Sequence, residues 1–253
     1  MSRLLAIDTS TSRVSVALGE AGEVRGAVSL AGGRRHAEQL APAIQGLCAW
    51  SGIELGSLDA IAVGIGPGLF TGLRVGVTTA KVMATALGVP LVGVPSLDLV
   101  AWPLRHARRD VVVVLDARRR EVFHARYRPE PADGPAFPDG PAPDGEELRR
   151  VTEDAVGSLE SLIATLAADG DEVLVAGDGA PATAFAALPG VDQAGVELAG
   201  PEFGAPSVEA LVVLAQRQLR DGSDRNWDPE QVLPRYLRAS DAELAAPMVR
   251  VAS

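Results

Sequence analysis

The stretch Gly64–Gly76, GIGPGLFTGLRVG, is the first candidate for binding chemistry, because its glycines lie between an apolar run and a helix-like run. A strand, a glycine-rich turn and a helix start together present bare backbone N–H groups to an anion such as phosphate. The Walker loop does not match, because Gly72 is followed by Leu73 and Arg74 rather than by Lys and Ser or Thr. The third glycine of a dinucleotide loop is also missing. The stretch is therefore predicted to be structural.

The predicted structural loop consists of Gly66, Pro67, Gly68, Phe70 and Thr71. The Gly-Pro-Gly triplet forms the turn, and Thr71 is expected to cap the helix that follows. Such a turn favours a positive φ, which we expect at Gly68.

The sequence contains little that indicates a metal site or a catalytic nucleophile. The three histidines, His36, His106 and His124, each stand alone, and the position four residues after His36 holds Leu40 rather than a second ligand. His36 is therefore expected to be a surface or capping residue. There is no G-x-S-x-G nucleophile elbow. We predict no catalytic residue, no metal ligand and no cofactor-binding residue.

Hydrophobic patterning predicts a three-stranded meander followed by alternating helices and strands. The predicted strands of the first half are Leu4–Asp8, Ser12–Leu18, Glu23–Leu30, Ala60–Ile65 and Leu91–Val94, and its helices are His36–Trp50, Thr71–Leu87 and one capped by Ser96 that runs to about Ala107. The second half is predicted to contain the hairpin Val111–Tyr127, the helix Glu153–Ala168, the strand Glu172–Ala176 and the helix Ser207–Leu219.

The second half opens like the first. Asp8 and Asp116 each follow four apolar residues, and when Asp116 is laid on Asp8, Val14 falls on Val122. This repeat predicts two subdomains with one plan, residues 1–108 and a degenerate 109–238. The Pro-, Gly- and Asp-rich segment 128–147 is expected to be a mobile excursion, and 239–253 a loose tail.

Composition narrows the class of protein. The chain has 253 residues, 47% of them apolar, and a net charge of −10, which argues against unassisted binding to nucleic acid. The single cysteine, Cys48, excludes an intramolecular disulfide and is expected to be a small buried hydrophobe. No signal segment or membrane-spanning run is apparent, so a cytoplasmic location without membrane contact is predicted.

Two βββαβα halves that each open on an aspartate are the plan of the actin, sugar-kinase and Hsp70 (ASKHA, ribonuclease H-like) superfamily, an α/β class. LAIDTST near the amino terminus, RRHAEQLAP at Arg34–Pro42, GPGLFTGLRVG at Gly66–Gly76 and LPRYLR at Leu233–Arg238 together resemble the TsaB family, also called YeaZ. The resemblance implies a role in making threonylcarbamoyladenosine in tRNA. It also implies a non-catalytic scaffold that pairs with the catalytic subunit TsaD and works with the ATPase TsaE, with tRNA contacted only through the complex.

The residues that would bind phosphate in the superfamily are altered. A glycine usually stands two residues after the aspartate, but Ser10 occupies that position here, and Asp116 is followed by Ala117 and three arginines. The turn Gly177–Gly179 resembles a degenerate form of the second nucleotide segment. No bound nucleotide is predicted.

The second helix carries more apolar surface than one sheet can cover. Its apolar arc spans about 220°, against roughly 100° for a helix that packs on a sheet. The resemblance implies that this helix and the preceding one meet the equivalent pair of TsaD, or pair with a second copy in a homodimer when TsaD is absent. The alternative is that the two helices cover each other. The predicted interface consists of Leu40, Ile44, Leu47, Gly72, Leu73, Gly76, Val77, Ala80 and Ala84.

Three functions therefore remain open. The first is the non-catalytic scaffold. The second is an ATP-dependent phosphotransferase of the acetate- or sugar-kinase type, which requires intact glycine turns, and the third is a metallopeptidase, which requires a helix with paired ligands.

Overall fold

The computed structural model describes residues 3–31, 35–131, 146–179, 195–222 and 227–238, which form two mixed β-sheets flanked by helices. The first sheet contains β1 (Arg3–Asp8), β2 (Arg13–Glu20), β3 (Glu23–Ala31), β4 (Ala60–Gly64) and β5 (Leu91–Val94), and the helices of this part are α1 (His36–Ser51), α2 (Phe70–Leu87) and α3 (Ser96–Ala101). The second contains β6 (Asp110–Arg118), β7 (Glu121–Pro131), β8 (Glu146–Arg150), β9 (Ala155–Ser158), β10 (Val173–Ala176) and β11 (Val196–Leu198), with helices α4 (Leu159–Asp169) and α5 (Val208–Asp221).

Both sheets have the same strand plan. The first has the order β3-β2-β1-β4-β5 and the second β8-β7-β6-β10-β11, with β9 also paired to β7. In each, the opening strand pairs antiparallel with the next strand and parallel with a later one, as β1 does with β2 and β4 and β6 does with β7 and β10. The prediction of two halves with one plan is confirmed at the level of the sheets.

The two halves exchange helices. Helices α1 and α2 pack on one face of the first sheet, whereas its other face, which includes Leu4, Ala6 and Val92, packs against α5 from the carboxyl-terminal half. In return, α3 from the amino-terminal half packs on the second sheet, whose opposite face is covered by α4. The division into 1–108 and 109–238 therefore stays a prediction about sequence segments, because each core borrows a helix from the other segment.

The repeat of the opening hairpins is offset by one residue. Asp8 pairs with Ser15, seven residues on, whereas Asp116 pairs with Val122, six residues on. The alignment of Val14 with Val122 is therefore wrong, because the second hairpin has a shorter turn.

Several predicted boundaries are also wrong. Helix α3 ends at Ala101 rather than near Ala107, because Pro103 has no N–H to continue the helical hydrogen bonds and only a 3-10 turn follows. Helix α4 starts at Leu159 rather than at Glu153, because β9 pairs with β7 first.

Both ends of the predicted excursion 128–147 are strands. Residues 128–131 belong to β7, and its partner β8 begins at Glu146. Residues 132–145 lie outside the described residues, as do Arg34, Ala180 and the predicted tail 239–253. Among the described helices, none combines the length and the apolar character needed to cross a bilayer.

Residues 227–238, here called the C-terminal strap, join the two halves. The Leu91 N–H donates to the Trp227 carbonyl at 3.1 Å, and the Arg235 N–H donates to the Ile65 carbonyl at 2.7 Å. At its far end, the Arg238 guanidinium donates to the Ala117 carbonyl of the second sheet at 2.9 Å. The strap therefore runs along the first half and ends on the β6–β7 hairpin.

We predict that a fragment of residues 1–108 does not fold alone. Without α5, the face of the first sheet that Leu211 and Val212 cover would be exposed to water, and each such side chain contributes about 1.5–3 kcal/mol when buried. Circular dichroism should show no cooperative unfolding of the fragment until residues 109–253 are added. Cooperative unfolding of the fragment by itself would contradict the exchange of helices.

Candidate functional site

The turn after β1 packs against the start of α2. Asp8, Thr9, Ser10 and Thr11 are all buried. The Thr9 hydroxyl donates to the Gly72 carbonyl at 2.7 Å, and the Ser10 carbonyl accepts from the Leu69 N–H at 2.7 Å. The turn is thus bonded to the start of α2.

Helix α2 can lie this close because of its glycines. A Cβ atom at Gly72 would collide with the Thr9 carbonyl, and one at Gly76 would collide with the Thr9 hydroxyl. The small residues on this side of α2 therefore serve contact with the chain's own turn.

The Gly66–Leu69 loop is held from three sides. The Gly66 N–H donates to the Ser96 hydroxyl at 3.0 Å, and the Ser96 N–H donates to the Gly66 carbonyl at 2.8 Å. On the third side, a Cβ atom at Gly68 would collide with the Ser10 carbonyl. The loop is structural, and its backbone N–H groups already have partners at Gly66 and Leu69.

Two details of the loop differ from expectation. The positive φ belongs to Gly66, at +95°, and not to Gly68, which is required instead for the close approach of Ser10. Helix α2 begins at Phe70 with Leu69 at the cap position, so that Thr71 lies inside the helix, exposed, and caps nothing. Pro67, between the two glycines, follows a cis peptide bond. Ser96 likewise begins α3 and is not its cap.

Asp8 is a buried carboxylate. Its oxygens accept from the Ser10 hydroxyl at 3.0 and 3.1 Å and from the Ser10 N–H at 3.2 Å, and a side chain at Gly64 would collide with one of them. Burial raises the pKa of Asp8 to about 6, and the bonds from Ser10 and Ser96 only partly oppose this shift. Asp8 orders the turn rather than facing solvent.

His36 is buried rather than on the surface. Its Nε2 lies 2.8 Å from the Thr11 carbonyl, so the tautomer with a proton on Nε2 donates to it. His36 thereby fixes the far side of the same turn to the start of α1. Cys48, predicted to be buried, is half-buried, and this burial raises the pKa of its thiol.

A small pocket lies between the turns of the two halves. It has a volume of about 80 Å³ and is lined by Ser10, Thr11, Ser12, Gly68, Leu69, Leu115, Asp116, Arg118 and Asp178. The Asp116 N–H donates to Asp178 at 3.1 Å, and the Arg118 N–H donates to Asp116 at 2.7 Å. Small-molecule sites usually measure about 300–1,000 Å³. As described, the pocket is too small for a nucleotide.

The predicted interface residues all face the chain's own core. Leu40, Ile44, Leu47, Gly72, Leu73, Gly76, Val77, Ala80 and Ala84 are buried within this chain. The exposed side of α2 consists of Thr71, Arg74, Thr78, Val82, Thr85 and Ala86. A partner interface on α1 and α2 stays a prediction, and the residues available for it are the outward-facing ones.

Sequence reasoning missed two features near this turn. The Phe70 and Tyr236 rings lie 4.9 Å apart, and Arg74 lies over Phe70 at 4.0 Å. Arg118, Arg119 and Arg120 all have positive φ values. The arginine run was visible in the sequence, but nothing in it indicated that the strap brings Tyr236 to α2.

Within the described ranges, no group of three His, Cys, Asp or Glu side chains could hold a metal ion. Two sheets of the same strand order that exchange helices define an actin-like ASKHA fold.

Known proteins show the same architecture. A structure of YeaZ from Pseudomonas aeruginosa superposes with a TM-score of 0.69 at 29% identity, covering 94% of this chain and 100% of that one. A tRNA threonylcarbamoyladenosine biosynthesis protein TsaB of Escherichia coli is 39% identical over 129 residues, 50% of this chain and 55% of that protein. An uncharacterized Mycobacterium tuberculosis protein is 42% identical over 129 residues, 50% of this chain and 60% of that relative.

The family model described as TsaD, tRNA N6-adenosine threonylcarbamoyltransferase, matches residues 23–135. This chain matches only part of its sequence relatives, 60% of the Mycobacterium tuberculosis protein and 55% of the Escherichia coli protein. In sequence and in fold, this chain is similar to TsaB (YeaZ) proteins.

We predict that Gly72→Ala destabilises the protein by about 1–3 kcal/mol, because the added methyl group overpacks the contact with the Thr9 backbone. The matched control is Gly46→Ala in α1, where the nearest atom would be 3.5 Å away. The control should be neutral or stabilising by up to about 1 kcal/mol, since alanine favours helix. Urea unfolding measures both, and equal effects would contradict the close approach of α2 to the turn.

We predict that Asp8→Asn removes a pH dependence of stability. Because the pKa of Asp8 is raised to about 6, the folded state holds the proton more tightly than the unfolded state. Stability from this group is therefore lost as pH rises from about 4 to 6, by about 3 kcal/mol in total. The free energy of unfolding of Asp8→Asn minus that of the original protein should rise by this amount between about pH 4 and pH 7. A difference independent of pH would show that Asp8 is not desolvated.

Proposed function

We propose that this chain acts in the synthesis of threonylcarbamoyladenosine in tRNA as a non-catalytic subunit, and that a TsaD-like subunit supplies the catalytic site. The similarity to tRNA threonylcarbamoyladenosine biosynthesis proteins TsaB of Escherichia coli and Haemophilus influenzae supports the pathway. The match of residues 23–135 to the TsaD model supports a partner of related fold. A TsaE-like ATPase is a further proposed partner, tRNA is modified by the assembled complex, and a homodimer is proposed when TsaD is absent.

The observation that carries the non-catalytic role is the filled turn. Where the superfamily leaves room for phosphate, Thr9 and Ser10 are bonded to Gly72 and Leu69, and Asp8 is buried beneath them. A phosphate could approach this backbone only if the turn separated from α2. This arrangement supports a subunit that acts as a scaffold and binds no phosphate at this turn.

The phosphotransferase alternative depends on the pocket beside Asp116 and Asp178. Its volume of about 80 Å³ is small against the roughly 300–1,000 Å³ of small-molecule sites, which favours the scaffold. The two functions differ in one measurement: a phosphotransferase turns over ATP as a single chain.

The outward-facing apolar side chains of α1 and α2 are the proposed contact for the partner. Val82 on α2 is 62% exposed and Trp50 on α1 is 77% exposed. Exposed side chains of this size are candidates for burial in an interface. Ala84, by contrast, is fully buried and would report on folding rather than on association.

Reconstitution tests the function. Purified TsaD-like and TsaE-like subunits, tRNA and an activated threonylcarbamoyl donor should modify the tRNA only when this chain is added, while this chain alone should show no turnover of ATP, peptide or tRNA. Val82→Arg should lower affinity for the TsaD-like subunit at least about tenfold, because a charge in a desolvated contact is costly.

The matched control is Val156→Arg on β9, which is exposed to 37% on the second sheet and should leave both affinity and folding unchanged. Full modification of tRNA without this chain, or ATP turnover by it alone, would refute the scaffold. Normal binding by Val82→Arg would place the contact elsewhere.

A further inference from the structure

The β6–β7 turn holds three consecutive arginines in an unfavourable backbone conformation. Arg118, Arg119 and Arg120 have φ values of 66°, 55° and 63°, a region that L side chains rarely adopt. All three are exposed. Among the described residues, the only other non-glycine residue with a positive φ is Ala21.

The turn itself gives no reason for arginine. Arg118 pairs with Glu121, so Arg119 and Arg120 form a two-residue loop with positive φ at both positions, the geometry that favours Asn-Gly. The β2–β3 hairpin has the same loop length and places Gly22 at its second position. A backbone held in a costly conformation is a sign of function at that place.

Two further arginines are adjacent in sequence to residues at the same pocket. Ser12 and Arg118 both line it, and Arg13 follows Ser12 directly. Arg35 precedes His36, whose ring is bonded to the Thr11 carbonyl. We call Arg13, Arg35, Arg118, Arg119 and Arg120 the arginine rim. All five are exposed, in a chain whose net charge is −10.

Three of the five arginines of the arginine rim have no ion pair within the described residues. Within the described residues, Arg13, Arg35 and Arg120 have no carboxylate at ion-pair distance, while Arg118 pairs with Asp116 at 3.0 Å. Three guanidinium groups thus remain available to an external anion.

An aromatic platform adjoins the arginine rim. The Phe70 and Tyr236 rings lie 4.9 Å apart at 39°, Arg74 stacks over Phe70, and Tyr236 is 42% exposed. Phe70 follows Leu69 of the pocket wall, and Arg238, two residues after Tyr236, is bonded to the Ala117 carbonyl beside the arginine turn. The platform and the arginine rim therefore share one mouth.

We infer that this mouth is an RNA-binding surface, on which the arginine rim contacts phosphates and the Phe70–Tyr236 pair stacks on an unpaired base. Guanidinium groups match phosphate oxygens in pairs, and sequence-tolerant stacking on aromatic rings is how proteins hold single-stranded RNA. An acidic protein surface would use the arginines but not the stacked rings. The inference rests on the proposed function for the choice of tRNA as the RNA.

Fluorescence anisotropy with a labelled RNA stem-loop of the anticodon arm tests this on the full chain. Replacing Arg118, Arg119 and Arg120 together by glycine removes three charges and also suits the positive φ values, so the fold should be kept or stabilised. The matched control replaces Arg25, Arg108 and Arg220, which are exposed elsewhere, by glutamine and changes net charge equally.

The glycine variant should bind the stem-loop at least about threefold more weakly at about 0.1 M salt, with a salt slope smaller by at least about 0.7, the contribution of one phosphate contact. The control should bind like the original protein. Tyr236→Ala should weaken binding at least about fivefold without changing the salt slope.

Equal RNA binding by the glycine and control variants would overturn the inference, as would a glycine variant that loses the TsaD-like subunit but keeps RNA. Neither result would contradict the proposed function, which is tested separately by measuring tRNA modification with and without this chain. Conversely, stem-loop binding that depends on the arginine rim stands even if reconstitution shows no requirement for this chain.

Discussion

The contact between the Thr9–Ser10 turn and the backbone of α2 is the constraint on which the rest of the structure depends. The Thr9 hydroxyl is bonded to Gly72, and the Ser10 carbonyl is bonded to Leu69. This contact requires glycine at positions 72 and 76, because any side chain would occupy the space of Thr9. It fixes the direction of α2, and thereby the outward face that carries Val82. A turn that serves helix packing in this way leaves no room for phosphate.

The buried carboxylate of Asp8 is held in the turn at a cost in stability. A charged group without an opposite charge nearby is costly to bury, and the raised pKa expresses that cost. The Ser10 and Ser96 hydroxyls offset only part of it. The aspartate therefore orders the turn at a net expense in stability near neutral pH.

The exchange of helices gives the two sheets one cooperative structure. Helix α5 completes the first core, α3 completes the second, and the strap joins both through Ile65 and Ala117. The strap also brings Tyr236 to Phe70 of α2 and ends beside the arginine turn of the second sheet.

The sequence by itself determined the order of strands and helices in the first half and the duplicated sheet plan, because hydrophobic period and glycine placement are local signals. The loss of the phosphate turns, inferred from Ser10 where a glycine is usual, stays a prediction. Only the tertiary structure decided which side of α2 is buried. An apolar arc looks the same whether a partner or the chain's own turn covers it, so Gly72, Gly76 and Ala84 read as a partner surface and proved to be core. Likewise, the net charge of −10 follows from the sequence, whereas the grouping of arginines near one pocket depends on which turns the fold brings together.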